Sequence, residues 1–502
     1  MKLYRPLTLI LILPLILLGA CSGAPTEEPP PIEPTVAPAI APTTAPTAAS
    51  IPVISTAVIS TAVVESTAPI PTVDQDAALS NRGPWFVFST PDGLFATNPD
   101  GSGMTQFYFQ TIDPPYSNRI LAAPRGSHIA YLTGNGAVDT NLRINLFPWG
   151  SLITDLPLLS GQSEPGPDSL PTDPNEAWWA IVGMPSMAFS PDGRNLAFIG
   201  AIDGETADLY LYSLDSYQIT QLTDGPAQGY QPTWSPDGEF IVHAGVNTFG
   251  SGAGYSMDKV WAARADDTEV ITLYDPGDSS AEEFIGWADY QTFLVNSWDP
   301  SCESRTLRTF NINTKASRVL WPGYFRAVAY DPASAVAVVA VTSMETRCSP
   351  EKPVGIYLVP VYGSSSLKVV GDEASRLIWS PEAGLFLAST ENGTIAIDPN
   401  GQFIDLDMPQ GASAFPAVDP TSKDLAWYGP SLWIGPLLGS IDQPPRMIFD
   451  EPVYAASWDP SGQGLLFFAD SGFYAARRPD FQPVLIAAGL NNHSRYSGWV
   501  MP

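Results

Sequence analysis

A short turn that keeps returning constrains this chain more than any other feature. Its clearest copies are Met187-Ala-Phe-Ser-Pro-Asp-Gly-Arg-Asn-Leu-Ala-Phe-Ile-Gly200 and Thr233-Trp-Ser-Pro-Asp-Gly-Glu-Phe-Ile-Val-His-Ala-Gly245. Ser suits the first position of a type I turn, Pro presets φ at the second, and Gly takes the positive φ that follows. The flanks are apolar and β-prone: Phe189 before, Leu196, Phe198 and Ile199 after. The unit therefore reads as a strand, a tight turn and a buried strand.

The spacing of these units sets the fold. If the strand before each turn is strand A, the units end at Ala123, Phe189, Trp234, Trp287, Tyr330, Trp379, Val418 and Trp458, at intervals of 66, 45, 53, 43, 49, 39 and 40 residues. A period of 40–50 residues with about four strands per unit is the signature of β-propeller blades. The unit at Ser186–Phe189, Leu196–Ile199, Asp208–Ser213 and Gln218–Leu222 shows all four strands, A to D.

The two ends complete each other. Trp85–Ser89, Leu94–Thr97 and Met104–Phe109 read as strands B, C and D without an A, and Ser494–Val500 reads as a lone A. One composite blade made from both would close the ring and remove its exposed edges. The expectation is an all-β chain with a single propeller of four-stranded antiparallel blades. The motif count is nine, with eight as the alternative if the unit at Val418 or Ala123 is irregular.

Composition narrows the function classes. Charged residues are 15% against 41 Gly and 51 Pro, which favours short strands and turns over long surface helices. Net charge is −29, and all but three of those charges fall on residues 83–502. Such a surface repels phosphate backbones, so nucleic acid is not an expected partner. Three Cys and three His supply no Cys/His metal centre, and no cofactor motif is present.

The amino terminus reads as an export signal over residues 1–20. Lys2 and Arg5 precede a twelve-residue apolar run, Leu7–Leu18, too short for the roughly 20 residues of a membrane span. It ends Leu18-Gly-Ala-Cys21, which resembles the bacterial lipobox. That resemblance implies cleavage before Cys21, a diacylglycerol thioether on its sulfur and an acyl chain, such as palmitate, on the new terminus. Two or three chains anchor stably where one does not. Residues 21–82 are rich in Pro, Thr and Ala, and no aromatic stands among them. They read as a disordered tether. At about 3.1 Å per residue, some 60 residues reach at most roughly 190 Å. Residues 83–502 are the propeller.

Loop lengths point to one face. In a four-stranded blade the A–B and C–D turns lie on one side, and the B–C and D–A loops on the other. The A–B turns are uniformly short. The long insertions are Ser160–Pro185, Gly245–Met257, Asp299–Arg305 and Thr342–Pro353, all on the B–C/D–A side. They carry Trp178, Trp179, Phe249, Tyr255 and Trp298, side chains suited to a protein or glycan partner. The alternative is loops that only cover one another. Cys302 and Cys348 follow strand B of adjacent blades, so their loops emerge as neighbours on this face. An exported chain meets an oxidising compartment, and the expectation is a disulfide between them.

Chemistry-bearing motifs are scarce. No Gly-x-Ser-x-Gly elbow occurs, and no hydrolase segment follows the propeller. His243 lies in strand B of its blade as a packed or rim histidine, His128 begins another B strand, and His493 falls in a terminal loop. Asn98–Gly103 lacks the carboxylates of a calcium loop and reads as a turn. Trp234, Trp287, Trp379 and Trp458 hold equivalent positions, which reads as packing between blades.

The Ser-Pro-Asp-Gly hairpins, Leu222-Thr223 at a D-strand end and Asn98-Pro-Asp-Gly-Ser-Gly-Met-Thr105 resemble TolB-type, WD-repeat-like propellers over about 83–502. The resemblance implies the fold and carries no catalytic residue. Propellers of this type serve as protein-docking platforms or as lids on peptidases, so fold alone leaves function open. The expectation is a non-enzymatic, exported lipoprotein held at a membrane through Cys21, with a binding or scaffolding propeller. The rival is a hydrolase of envelope glycans or peptides, marked by a carboxylate pair about 5–10 Å apart in the channel.

Overall fold

The computed structural model describes residues 77–502, apart from 111–119, 135–138, 162–175, 184, 249–254, 277–280, 300–303, 364, 407, 410, 413–414, 438–443 and 491–496. Cys21, the signal and most of the tether lie outside the described residues. The chain from 77 on is a ring of nine antiparallel four-stranded sheets. The motif count of nine therefore holds. The units at Val418 and Ala123 are full blades, although the A strand of the first is only Ala417–Val418.

Closure occurs as the two ends imply. Trp85–Thr90, Gly93–Thr97 and Thr105–Tyr108 form three strands of blade one, and Ser497–Val500 from the carboxyl end adds the fourth. The register pairs Trp85 with Val500 and Phe88 with Ser497. Packing fixes that register. Phe86 meets Trp499 at 5.1 Å between ring centres, and Phe88 and Phe86 both pack on Phe473 of blade nine. A slip of one residue would turn Val500 and Trp499 to the wrong faces.

The turns form through local chemistry. In blade three, Ser190 Oγ–H donates to Asp192 Oδ1 at 2.6 Å, and the Gly193 N–H donates to the Ser190 carbonyl at 2.9 Å. The Arg194 N–H donates to the same carboxylate oxygen at 3.1 Å. Gly193 has φ of +73°, and a Cβ there would sit 2.4 Å from the Arg125 carbonyl oxygen of blade two. Glycine is needed twice over, for conformation and for the approach of the next blade. Blade four repeats the arrangement with Ser235, Asp237 and Gly238.

Apolar strands alternate between the two sides of each blade and interlock with their neighbours. Asn195–Gly200 and Val336–Val341 are almost wholly buried because both of their sides meet other blades. The outermost strands are exposed, as in Ser317–Val319 and Phe403–Asp405.

Candidate binding face

The structure redraws the inserted face at two places. Blade four comprises Gln228–Trp234, Phe240–Thr248, Tyr255–Arg264 and Val270–Tyr274. Blade five comprises Ala281–Trp287, Thr292–Asp299, Ser304–Asn311 and Ser317–Val319. Much of the segments Gly245–Met257 and Asp299–Arg305, expected as loops, is strand. Thr248 pairs with Tyr255, and Asp299 with Ser304. The B–C hairpins of these blades have strands of 9 and 10, and of 8 and 8 residues, against 6 and 6 in blade three. At about 3.3 Å per residue, two to four extra residues lengthen these hairpins by roughly 7–13 Å on the B–C side.

The aromatic residues singled out from the sequence separate accordingly. Trp298 is half-buried near the end of a strand, opposite Arg305. Tyr255 starts a strand of blade four. Phe249 lies outside the described residues. Trp178 ends a short helix, Glu176–Trp178, and Trp179 opens a π turn, Trp179–Gly183. Ala177, Ala180, Ile181 and Val182 bury this segment against the core, with Trp178 packed partly into it. Trp179 stays 37% exposed. A Cβ on Gly183 would meet its ring at 2.5 Å, so the glycine makes room for the indole.

A polar network surrounds Trp298, and the sequence reading did not single it out. On one side of the blade, Glu282 accepts from Ser297 Oγ at 2.7 Å, from Tyr274 Oη of blade four at 3.2 Å and from Arg308 Nη2 at 2.5 Å. The Arg308 guanidinium lies over the Tyr274 ring at 5.3 Å. Burial pushes the Tyr274 hydroxyl well above its ordinary range, and the Glu282 charge adds to it. On the other side, Glu283 accepts from Asn296 Nδ2 at 2.9 Å and pairs with Arg305. Arg305 also covers the Trp298 ring at 5.8 Å. Successive strand residues point to opposite sides, so Glu282 and Glu283 serve opposite clefts. Each carboxylate is already engaged by its own arginine, so the two do not form a pair across one substrate.

Hydrogen-bonding capacity remains in the network. Asn296 Oδ1 and Arg308 Nε are buried with no hydrogen-bond partner. Buried groups of this kind cost about 1–3 kcal/mol when unmet. Asn296 Oδ1 lies on the side of Trp298 and Arg305, the residue types that anchor interfaces, and Arg308 Nε on the opposite side.

Blade six supplies the next part of the face. Residues 342–354 follow strand Val336–Val341, with a 3₁₀ turn at Glu345–Arg347. Glu345 is fully buried, and its Oε2 accepts from the Thr342 N–H at 3.0 Å and from Thr342 Oγ1 at 2.6 Å. Its own carbonyl accepts the N–H of Cys348, which is half-buried at the turn's end. Cys302 lies outside the described residues.

The remaining expectations have clear positions. Asn98–Gly103 is a turn in which Asp100 Oδ1 accepts from the Ser102 N–H at 3.0 Å and Oγ at 2.6 Å. His128 begins the strand His128–Gly134, half-buried, with its pKa lowered by burial. His243 is buried in blade four, and His493 lies outside the described residues. Among the described residues, no group of three or more His, Cys, Asp or Glu could hold a metal ion.

No protein-family model matches the chain. A segment of 85 residues, 17% of the chain, is 40% identical to the uncharacterized peptidase YuxL of Bacillus subtilis (strain 168) and covers 12% of that protein. Another match is 30% identical over 87 residues, 17% of the chain, to the uncharacterized protein Atu1656 of Agrobacterium fabrum (strain C58 / ATCC 33970) and covers 27% of it. The chain thus spans about an eighth and about a quarter of these relatives. Among solved structures, one described as the eukaryotic initiation factor superposes with a TM-score of 0.54 and 12% identity, over 84% of this chain and 98% of that one. That likeness shows the fold alone. TolB from Acinetobacter baumannii is also a structural neighbour, with a TM-score of 0.30 and 16% identity over 57% of this chain and 66% of its own.

Proposed function

We propose that this chain is an exported, membrane-anchored lipoprotein, acylated at Cys21, whose propeller binds a protein or glycan through its B–C/D–A face. The observation that carries the binding reading is the Trp298–Arg305–Glu283–Asn296 cluster on the extended hairpin of blade five. An aromatic and a guanidinium are stacked beside a buried amide oxygen, Asn296 Oδ1, with unmet capacity. This is the chemistry of an interface anchor with hydrogen bonds to offer. A disulfide between Cys302 and Cys348 would join the hairpin of blade five to the buried-Glu345 loop of blade six and stiffen that face. The anchor and the outward location rest on the charge, apolar run and Leu18-Gly-Ala-Cys21 order of the terminus.

The experiment is capture from native envelope extract on the immobilised full chain, wild type against Trp298→Ala and Arg305→Glu. The reading expects a saturable partner that both variants lose. Equal capture by all three, with normal melting, would overturn it.

A hydrolase reading has one specific support, the 85-residue match to a protein named as a peptidase. It expects peptide or glycan cleavage by the purified chain. Lack of turnover over a panel of envelope-derived peptides and glycans counts against it.

A further inference from the structure

One blade away from Trp298, a cavity of about 260 Å³ opens between blades three and four on the same B–C/D–A side. It is smaller than the ~300–1,000 Å³ sites that take drug-sized ligands. Its occupant must be compact.

The wall from blade three is anionic. Asp208 begins the strand Asp208–Ser213 and is buried. Its oxygens accept from Thr206 Oγ1 at 3.0 Å, Thr223 Oγ1 at 3.2 Å and the Gly225 N–H at 3.1 Å. These donors are all neutral. Among the described residues no Lys or Arg forms an ion pair with it. Burial pushes its carboxyl above the usual range, and the charge of Asp224 adds to that. Asp224 is exposed and also lines the cavity. No Lys or Arg stands among the lining residues.

The wall from blade four is aromatic and hydrogen-bond accepting. His243 and Trp261 face each other across paired strands, their rings 5.5 Å apart and 20° from parallel. A Cβ on Gly245 would come 2.5 Å from the Trp261 ring, so this glycine lets the indole lie where it does. Burial lowers the His243 pKa to about 4, opposed by a hydrogen bond to the Ile241 backbone. The imidazole is therefore neutral at pH 7. Nδ1 has no hydrogen-bond partner, and a neutral imidazole always keeps one bare acceptor nitrogen. His243 thus brings an acceptor nitrogen to the cavity wall.

We propose that this cavity binds a compact primary ammonium group, held by Asp208 and Asp224, the imidazole of His243 and the Trp261 ring. The two carboxylates and the bare imidazole nitrogen are acceptors, so they call for a ligand that donates. The two carboxylates lack a counter-cation, so the donor must be positive. An ammonium meets both conditions, and an indole face favours a cation beside it. The charge of Asp208 and the open acceptor at His243 are separate observations that select the same chemistry.

The proposal does not rest on the docking face, and its test is independent of Trp298. The probe is ethanolamine, protonated at pH 7, titrated into the full chain by calorimetry and by thermal unfolding at fixed ionic strength. Ethylene glycol, a neutral near-isostere, is the control. The expected result is saturable binding of ethanolamine and none of ethylene glycol. Asp208→Asn should weaken binding about tenfold, and Asp224→Asn, at the exposed rim, about two- to threefold. Trp298→Ala should leave it unchanged. If Asp208→Asn does not fold, the glycol control and Asp224→Asn decide. No saturable ethanolamine signal, equal binding of glycol, or wild-type affinity in the folded Asp variants overturns the proposal.

Discussion

The indole Nε1–H of Trp234 donates to the carbonyl oxygen of Ala188 at 2.9 Å, joining the A strand of blade four to that of blade three. Trp458 does the same to Ala417, one blade back, at 3.1 Å. Trp499 donates to Ser457 Oγ at 3.0 Å across the closing blade, and Tyr330 Oη donates to the Trp287 carbonyl at 3.2 Å. Four of the nine A strands are thus tied to their predecessors by the polar tip of a large ring. The apolar body of the ring fills the gap between blades, and its single donor reaches an oxygen of the neighbouring A strand.

Replacing Trp234 by Phe keeps most of the apolar body and removes the donor. The expected loss is about 1 kcal/mol, the net value of one hydrogen bond. Trp234→Ala should cost about 3–5 kcal/mol, because a cavity is added. Urea unfolding of both variants checks the ratio. Unchanged stability of Trp234→Phe would mean that the bond to Ala188 is worth nothing.

The opposite face holds a charged joint. Arg478 of blade nine donates through Nη2 to Asp419 and Asp424 of blade eight, each at 2.6 Å, and through Nε to the Gly462 carbonyl at 2.8 Å. Its guanidinium also covers the Trp458 ring at 5.5 Å. Asp419 is fully buried. Arg478→Met should destabilise the ring by about 2–3 kcal/mol, since one partner remains buried without its counter-charge. Lys should recover only part, because it cannot fork to two carboxylates. Chemical denaturation at pH 7 measures both.

The same joint predicts acid sensitivity. Burial raises the Asp419 carboxyl, but bonds from Ser422, Thr421 and Arg478 outweigh it and hold its pKa at about 2. A depressed carboxylate stabilises the fold above its unfolded pKa near 4, and that stability is lost as pH falls toward 2. The contribution is about 2 kcal/mol. Asp419→Asn should therefore be less stable than wild type at pH 6, with the gap closing by pH 2.5. A gap that stays constant over this range rules the linkage out.

Closure by the carboxyl end makes a separate test possible. Removing residues 497–502 exposes the edge of Trp85–Thr90 and strips Trp499 from Phe86 and Ser457. The truncated chain should melt well below the full chain and tend to aggregate through the bare edge. Identical melting would show that the closing strand contributes nothing.

The anchor and the staple have mass readouts. Cys21→Ser should release the chain from membranes or leave its precursor uncut; unchanged fractionation and mature mass argue against lipidation. Alkylation of unreduced, denatured protein should leave Cys302 and Cys348 unlabelled. Labelling of both excludes the bridge. The chain-entropy value of such a loop is about 4 kcal/mol, an upper figure because the strands already restrain it.

Several features were legible because their causes are local. Ser190-Pro-Asp-Gly193 specifies its own turn through hydrogen bonds spanning two to five residues, so repetition of the motif counts blades directly. The missing A strand at Trp85 and the surplus strand at Trp499 were visible as two halves of one unit. The equivalent tryptophans could be assigned to contacts between blades from periodicity alone.

What the sequence could not supply depends on strand pairing and on contacts between blades. Segments 245–257 and 299–305 carry Gly, Ser and Pro and read as loops. Pairing across the hairpin, Thr248 to Tyr255 and Asp299 to Ser304, makes strand of much of them. Glu282 and Glu283 look alike in sequence, yet the pleat sends them to opposite clefts and to different arginines, Arg308 and Arg305. His243 is an ordinary strand residue until blade three brings Asp208 into the same cavity. The sequence determined the repeat, the turns and the closure, because each is fixed by short-range bonding and by side-chain alternation. Only the tertiary structure decided which charges meet, since a carboxylate's partners are set by strand register and blade contact rather than by spacing along the chain.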